Sequence, residues 1–326
     1  MDSMPRISVV IPNFNYARYL DDRFHSILAQ DYHDYEIIFL DDASTDGSVA
    51  QVRERFGDRI HRLEVNAANS GNPFVQWNRG VGLARGEFVW IAEADDTCTP
   101  RFLGRMLQAI SRSPAIGLAY CTTVPIDGEG QVLDARFHQR YLEELHPDRW
   151  HEDFTAQGRS EVRRYLSRKN AITNVSGVLF RREAYTGAGF APEHMRMCGD
   201  WFAYCRILHD WDLAFVAEPM NFHRQHPARH TQNSVLDLTY FREFLQVQQY
   251  LADAFELDRA EREAAFRRFT GEWDRLTVSH YGRIDLANTL ALAGMAARCY
   301  PLHSHRIAAR LFANAARSLA GKWNKK

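Results

Sequence analysis

The chain has 326 residues, 45% of them hydrophobic and 25% charged, with a formal net charge of −1. This is the composition of an ordinary globular protein, and the length suits a sizeable catalytic domain with a smaller addition. The near-neutral balance gives no hint of a nucleic-acid partner, which usually needs a basic face, and no stretch approaches the ~20 apolar residues of a membrane-spanning helix.

The N-terminal stretch lacks the basic head and apolar run of a signal peptide. Cys98, Cys121, Cys198, Cys205 and Cys299 are odd in number and scattered, with no Cys-x-x-Cys pair. Neither a zinc site nor a disulfide framework is expected, and reduced thiols in a cytosolic setting are the simpler reading.

In chain order, "ISVVI" (7–11) reads as a buried strand, followed by a helix with Leu20, Phe24, Ile27 and Leu28 on one face. "EIIFL" (36–40) is a second strand that ends on Asp41 and Asp42, and Val49, Val52 and Phe56 mark the next helix. "RLEV" (62–65), a helix carrying Phe74, Trp77 and Val81, and "EFVWIA" (87–92) continue the alternation. Thr99 then reads as an N-cap with Pro100 in the first helical turn. Alternation of this kind predicts β-α-β units and a mainly parallel sheet with ligands at the strand C-terminal ends.

Further on, "GLAYCTTVPI", "NVSGVLFRR" and "LAFVAEP" read as strands and "GDWFAYCRILHD" as a helix, while 134–170 shows little periodicity. From about Ser234 onward the pattern is helical. The division expected is a catalytic domain over 1–232 and a helical region over 233–326.

"GVGLARG" (80–86) has the wrong spacing and position for a dinucleotide loop, and its glycines read as a helix end. The acids are more informative. Asp41-Asp42 and Asp95-Asp96, with Glu93 beside the second pair, all fall at predicted strand ends. Carboxylates gathered on one rim suit a hard cation such as magnesium or manganese, with substrate phosphates completing its shell.

"VVIPNFN", "ILAQDYHDYEIIFLDDASTDGS", "NSGNPFVQWNRGVGLARGEFVWIAEADD", "NVSGVLFRR" and "GDWFAYCRI" together resemble a family 2 glycosyltransferase with the α/β GT-A fold, over about residues 6–232. The resemblance implies that Pro12 and Asp42 hold the nucleobase, with Asn15 shaping that loop, and that Asp95 holds the ribose. Asp96 and His226 would be ligands of Mn2+ or Mg2+, and Asp200 the base that deprotonates an acceptor hydroxyl.

The sequence departs from the family pattern at Glu93, where an aspartate is usual. It also departs at Trp77, which replaces a frequent basic residue and reads as helix packing, and at Gly199, which precedes Asp200. The implied activity is inverting transfer from a UDP-sugar to a glycan or lipid-linked glycan in bacterial surface-polysaccharide assembly. The alternatives are a non-catalytic nucleotide-sugar-binding module and, as a third, a glycoside hydrolase working with two carboxylates.

Among the aromatic residues, Trp201 is a candidate sugar-stacking surface or a core residue. His223 and His230 read as ordinary loop histidines. The stripe Ile307, Leu311, Phe312, Ala315 and Leu319 makes an amphipathic tail helix, either packed on the catalytic domain or lying peripherally on an anionic membrane.

Overall fold

The computed structural model describes residues 4–225, 238–279, 286–307 and 309. The chain divides into two compact units, the first made of Met1–Glu161, Ala171–His194 and Phe202–Pro227, the second of Val162–Asn170, Met195–Trp201 and Ala228–Lys326.

The first unit begins with β1 (Ile7–Asn13), α1 (Ala17–Leu28), β2 (Tyr35–Asp41), α2 (Ser48–Phe56), β3 (Arg62–Val65), α3 (Pro73–Leu83) and β4 (Phe88–Ile91). It continues through β5 (Thr97–Cys98), α4 (Phe102–Ile110), β6 (Ile116–Ile126), α5 (Phe137–Glu143), β7 (Phe154–Ala156) and α6 (Gly158–Glu161). After the first insertion of the second unit come β8 (Val178–Arg181) and α7 (Arg182–Gly187). Helix α8 (Gly199–Asp210) and β9 (Asp212–Arg224) follow.

The sheet runs β3-β2-β1-β4-β8-β6-β9-β5, with β7 paired to β9. Strands β3, β2, β1 and β4 are mutually parallel, as the alternation of strands and helices requires. Register sets Asn13 of β1 opposite Asp41 of β2 and Val10 opposite Ile91 of β4, so these three strands finish along one rim. Their unbroken apolar runs are buried on both faces, which a parallel sheet covered by helices demands. On α1, Leu20, Phe24 and Ile27 face the core as expected, but Arg23 is buried with them.

Several local readings change. Strand β8 is antiparallel to both β4 and β6, so the sheet is mixed beyond β4. Thr99 does not cap a helix: its backbone N–H bonds Met220, prolonging the β5–β9 pairing, and α4 starts at Phe102. Gly80 lies inside α3 instead of ending it, and the close packing on β1 requires a glycine there, since a Cβ would stand 2.2 Å from a methyl group of Val10. The weakly periodic 134–170 region holds α5, β7 and α6, short elements fixed by their neighbours more than by pattern.

In the second unit, α9 (Thr239–Ala254), α10 (Arg259–Ser279) and α11 (Leu286–Cys299) join the segments 162–170 and 195–201. Glu243 of α9 is buried, and its two oxygens accept the backbone N–H groups of Arg196, Met197 and Cys198, each at 2.8 Å. A carboxylate so placed ties down the chain entering α8 and suits the positive helix start. Trp201 donates its indole N–H to the Leu166 carbonyl at 3.0 Å and meets Phe244 edge-on, so it is core and not a sugar platform. Most of the amphipathic tail stripe, from Leu311 onward, lies outside the described residues.

Gly86 gives a direct test of how closely the turn before β4 packs on β1. A Cβ there would stand 2.7 Å from the Ser8 nitrogen and 2.8 Å from the Ile7 carbonyl carbon, both backbone atoms. Gly86→Ala is expected to lower stability by about 2 kcal/mol or more, because a paired strand cannot step aside. Urea unfolding measures the loss.

Candidate active site

The rim where β1, β2 and β4 end carries two acidic turns of different construction. At the end of β2, Asp41 is fully buried; one oxygen accepts the Ser44 N–H at 2.8 Å and the other the Asn13 amide at 2.8 Å. Asp42 accepts from the Asn66 amide (2.6 Å), the Ser70 hydroxyl (2.8 Å) and the Gln76 amide (2.9 Å), and from the Ser70 backbone N–H. These bonds pin the 66–72 loop beside the rim. Asn15 adopts a left-handed φ of 57°, and its side-chain oxygen accepts the Thr45 N–H at 2.8 Å. Asn15 therefore ties the loop after β1 to the loop after β2, and Pro12 sits inside β1 opposite Leu40.

The turn after β4 is held by a network that sequence patterning missed. Asp96 is 1% exposed; its Oδ2 accepts the Ser176 hydroxyl at 2.7 Å and the Asn174 amide at 3.0 Å, and its Oδ1 accepts the Arg224 backbone N–H at 2.9 Å. Ser176 uses its hydroxyl fully, since the same oxygen accepts the Glu93 N–H at 3.1 Å and Arg23 Nη2 at 3.3 Å. Arg224 is buried and donates from Nε to the Asp95 carbonyl at 2.8 Å, which fixes the backbone between the two aspartates. Trp77 donates its indole N–H to Glu93 Oε1 at 2.5 Å, so it packs in α3 and also holds the acid.

Burial and the like charges of Asp95 and Asp96 push the Glu93 carboxyl up to about 8, against the indole bond and the Arg23 charge, which act in the opposite direction. The Asp96 carboxyl is raised by the same two causes, burial first. Tyr16 was not singled out in the sequence, yet its hydroxyl is raised by burial and by the charges of Asp95, Glu93 and Asp96, which places it beside the acids. His223 lies in β9, not in a loop, and its charge favours ionised Asp96. His226 and His230 lie outside the described residues.

The donor set fits a hard divalent cation in part. Asp96 Oδ1 accepts one hydrogen bond and so retains a lone pair for one metal bond. Asp95 is partly exposed beside it. Among the described residues no group of three His, Cys, Asp or Glu side chains has metal-holding geometry. Such a site needs outside oxygens to complete its shell, as magnesium sites do with phosphates.

In the second unit, Asp200 stands in the first turn of α8 and accepts the Asn170 amide at 3.1 Å. Burial raises its carboxyl to about 6 against the bonds from Asn170 and the Trp201 backbone. A carboxylate near that value is well poised to take a proton near neutrality.

The mixed sheet, with its acidic turns at the ends of parallel strands, defines an α/β protein of the GT-A fold, the nucleotide-diphospho-sugar transferase architecture. The sequence matches the description of glycosyl transferase family 2 over residues 8–186, and the chain belongs to that family. It is 36% identical over 132 residues to an uncharacterized glycosyltransferase of Nostoc sp., covering 40% of each chain. It is 34% identical over 142 residues to a GalNAc(5)-diNAcBac-PP-undecaprenol beta-1,3-glucosyltransferase of Campylobacter jejuni, covering 43% of this chain and 44% of the other. These matches thus span less than half the length of either relative.

Among solved structures, S. aureus TarS 1–349 superposes with a TM-score of 0.71 at 13% identity, over 98% of this chain and 92% of that one, and TarS has also been solved with UDP-GlcNAc. A Pyrobaculum calidifontis mannosyltransferase complex with GDP-Man and Mn2+ gives a TM-score of 0.54 at 18% identity, over 100% and 89%.

The raised Glu93 carboxyl has a consequence for stability. The folded protein keeps this proton up to about pH 8, whereas the unfolded chain releases it near the ordinary 4.5. The native state therefore binds more protons across that window, and stability falls as pH rises through it. Glu93→Gln is expected to flatten the slope by roughly 2–4 kcal/mol across the window, read from urea midpoints at several pH values without added metal.

Proposed function

We propose that the protein is a divalent-cation-assisted glycosyltransferase that moves a sugar from a nucleotide-sugar donor, a UDP-sugar, to an acceptor hydroxyl with inversion. The observation that carries this reading is the pair of acidic turns closing β2 and β4 on either side of β1, within the stretch that matches the family. The UDP-GlcNAc complex of TarS supports the choice of donor, although its identity to this chain is low.

On this reading Pro12, Asn15 and Asp42 shape the wall for the base. Asp42 holds the 66–72 loop as part of that wall through its bonds to Asn66 and Ser70. Asp95 takes the ribose, and Asp96, with His226, takes Mn2+ or Mg2+. A bound cation would neutralise the charge that develops on the departing diphosphate. The chain's own part is to hold Asp96 in place, through Ser176, Asn174 and the Arg224 N–H.

Asp200 removes the acceptor proton as the hydroxyl attacks the anomeric carbon. A neutral hydroxyl is a weak nucleophile, and proton removal in the transition state typically contributes 10²–10⁴-fold. The acceptor is a glycan or a lipid-linked glycan of a bacterial surface polysaccharide. The undecaprenol-linked acceptor in the name of the Campylobacter relative supports that class. The proposed setting is the cytoplasm, with peripheral contact at the inner membrane as the second reading. Among the described residues no helix is long and apolar enough to cross a membrane.

A thermal-shift series with UDP, GDP and their sugars, each with and without manganese, tests the donor assignment. UDP with manganese is expected to raise the melting temperature most, and equal shifts for all nucleotides regardless of metal would remove the donor assignment. Asp200→Asn should lose transfer by about 10²-fold or more and still show the UDP–manganese shift. In the unaltered enzyme, kcat/KM should fall as pH drops through about 6, where Asp200 takes up its proton. A flat profile down to pH about 5 would remove Asp200 from the role of base.

A further inference from the structure

We propose that Arg23 is a built-in counter-cation of the 93–96 turn, a positioning residue that holds the acids in place before any metal arrives and limits how tightly they take one. The proposal rests on the cation-assisted reading above and adds a residue that α1 contributes from beneath the rim.

Arg23 is 0% exposed, and its guanidinium stays charged at any working pH. A buried ion is tolerated only where its surroundings compensate it. Nε donates to the Glu93 carbonyl at 2.8 Å, and Nη2 reaches the Ser176 hydroxyl at 3.3 Å. That hydroxyl donates onward to Asp96 at 2.7 Å, so one cation grips the turn at its first residue and, through Ser176, at its last. The guanidinium carbon lies 5.3 Å from the Trp90 ring centroid, which closes one side of the pocket. Nη1 is buried with no hydrogen-bond partner.

No carboxylate makes a direct ion pair with Arg23 among the described residues; its donors go to the Glu93 carbonyl and the Ser176 hydroxyl. An ordinary structural arginine would use its fork on a single carboxylate. This one acts on the whole turn at close range while leaving the carboxylate oxygens to other donors. A metal bound by the same acids would feel a fixed positive charge in a poorly screened interior, where repulsion between cations is substantial. Arg23 therefore has two effects of opposite sign on a metal: it preorganises the ligands and opposes the ion.

The sign of the change in metal affinity separates this role from plain packing. Manganese is titrated into the full chain, alone and with UDP, with free manganese read by its paramagnetic resonance. Arg23→Met is expected to bind manganese about tenfold more tightly than the unaltered protein, since a positive charge has gone. Arg23→Lys keeps the charge but loses the fork and is expected to stay within about threefold.

A folded Arg23→Met protein with unchanged or weaker affinity overturns the proposal, as does an Arg23→Lys protein weakened about tenfold or more. Should Arg23→Met fail to fold, Arg23→Lys decides alone. Unaltered protein that takes up manganese in neither titration sinks the cation-assisted reading and this inference with it. Manganese uptake by the unaltered protein combined with the wrong response to Arg23 substitution sinks only the inference.

Discussion

The structure around the rim depends on how three acids within four residues are kept from driving their own turn open. Burial raises the proton affinity of Glu93 and Asp96, and the neighbouring charge of Asp95 raises both further. The opposing contacts come from α1 through Arg23, from α3 through Trp77, from the segment before β8 through Asn174 and Ser176, and from β9 through Arg224. Four parts of the chain, far apart in sequence, thus converge on one turn. The antiparallel placement of β8 beside β4 makes this possible, because it carries Ser176 to the turn that follows β4.

This convergence explains which parts of the site could be read in advance. The strands that end in acids were legible because apolar runs and alternating helices leave a strong pattern, and β1, β2 and β4 form where expected. Asn15 was legible as a turn residue because its side chain acts within a nearby loop. Arg23, Ser176 and Arg224 were not legible as partners of the acids. An arginine next to Phe24 on an amphipathic helix reads as the edge of the solvent face, and only the tertiary fold buries it. Tyr16 was equally silent, since one aromatic after a turn has no periodic signature. A partial clue did exist in an arginine inside an otherwise apolar helical stripe, a local conflict of the kind that often marks functional sites.

The second unit was less legible for a related reason. Its short segments 162–170 and 195–201 are ordered by α9, whose Glu243 binds three successive backbone N–H groups and whose Gln248 bonds the Ser167 carbonyl at 2.9 Å. Segments organised by a distant helix carry little periodicity of their own. The polar residues that do the organising look, in sequence, like the solvent face of that helix. Trp201 shows the converse: next to Asp200 its ring invites a sugar-binding role, yet Phe244 and the Leu166 carbonyl claim it.

The two acidic pairs show why residue type at a strand end is not enough to assign chemistry. Asp41 and Asp42 each accept short hydrogen bonds that satisfy their charge within the loops they organise. These bonds tie the neighbouring loops to the rim. At the end of β4 the charge is only partly answered: Glu93 holds its proton to about pH 8, and Arg23 grips the turn through the Glu93 carbonyl, with no direct ion pair to a carboxylate among the described residues. A turn left with excess negative charge after its own hydrogen bonds are made is in electrostatic tension that an incoming cation relieves. The same residue letters are therefore satisfied to different degrees at the two strand ends, and what separates them is how fully neighbouring donors meet each carboxylate.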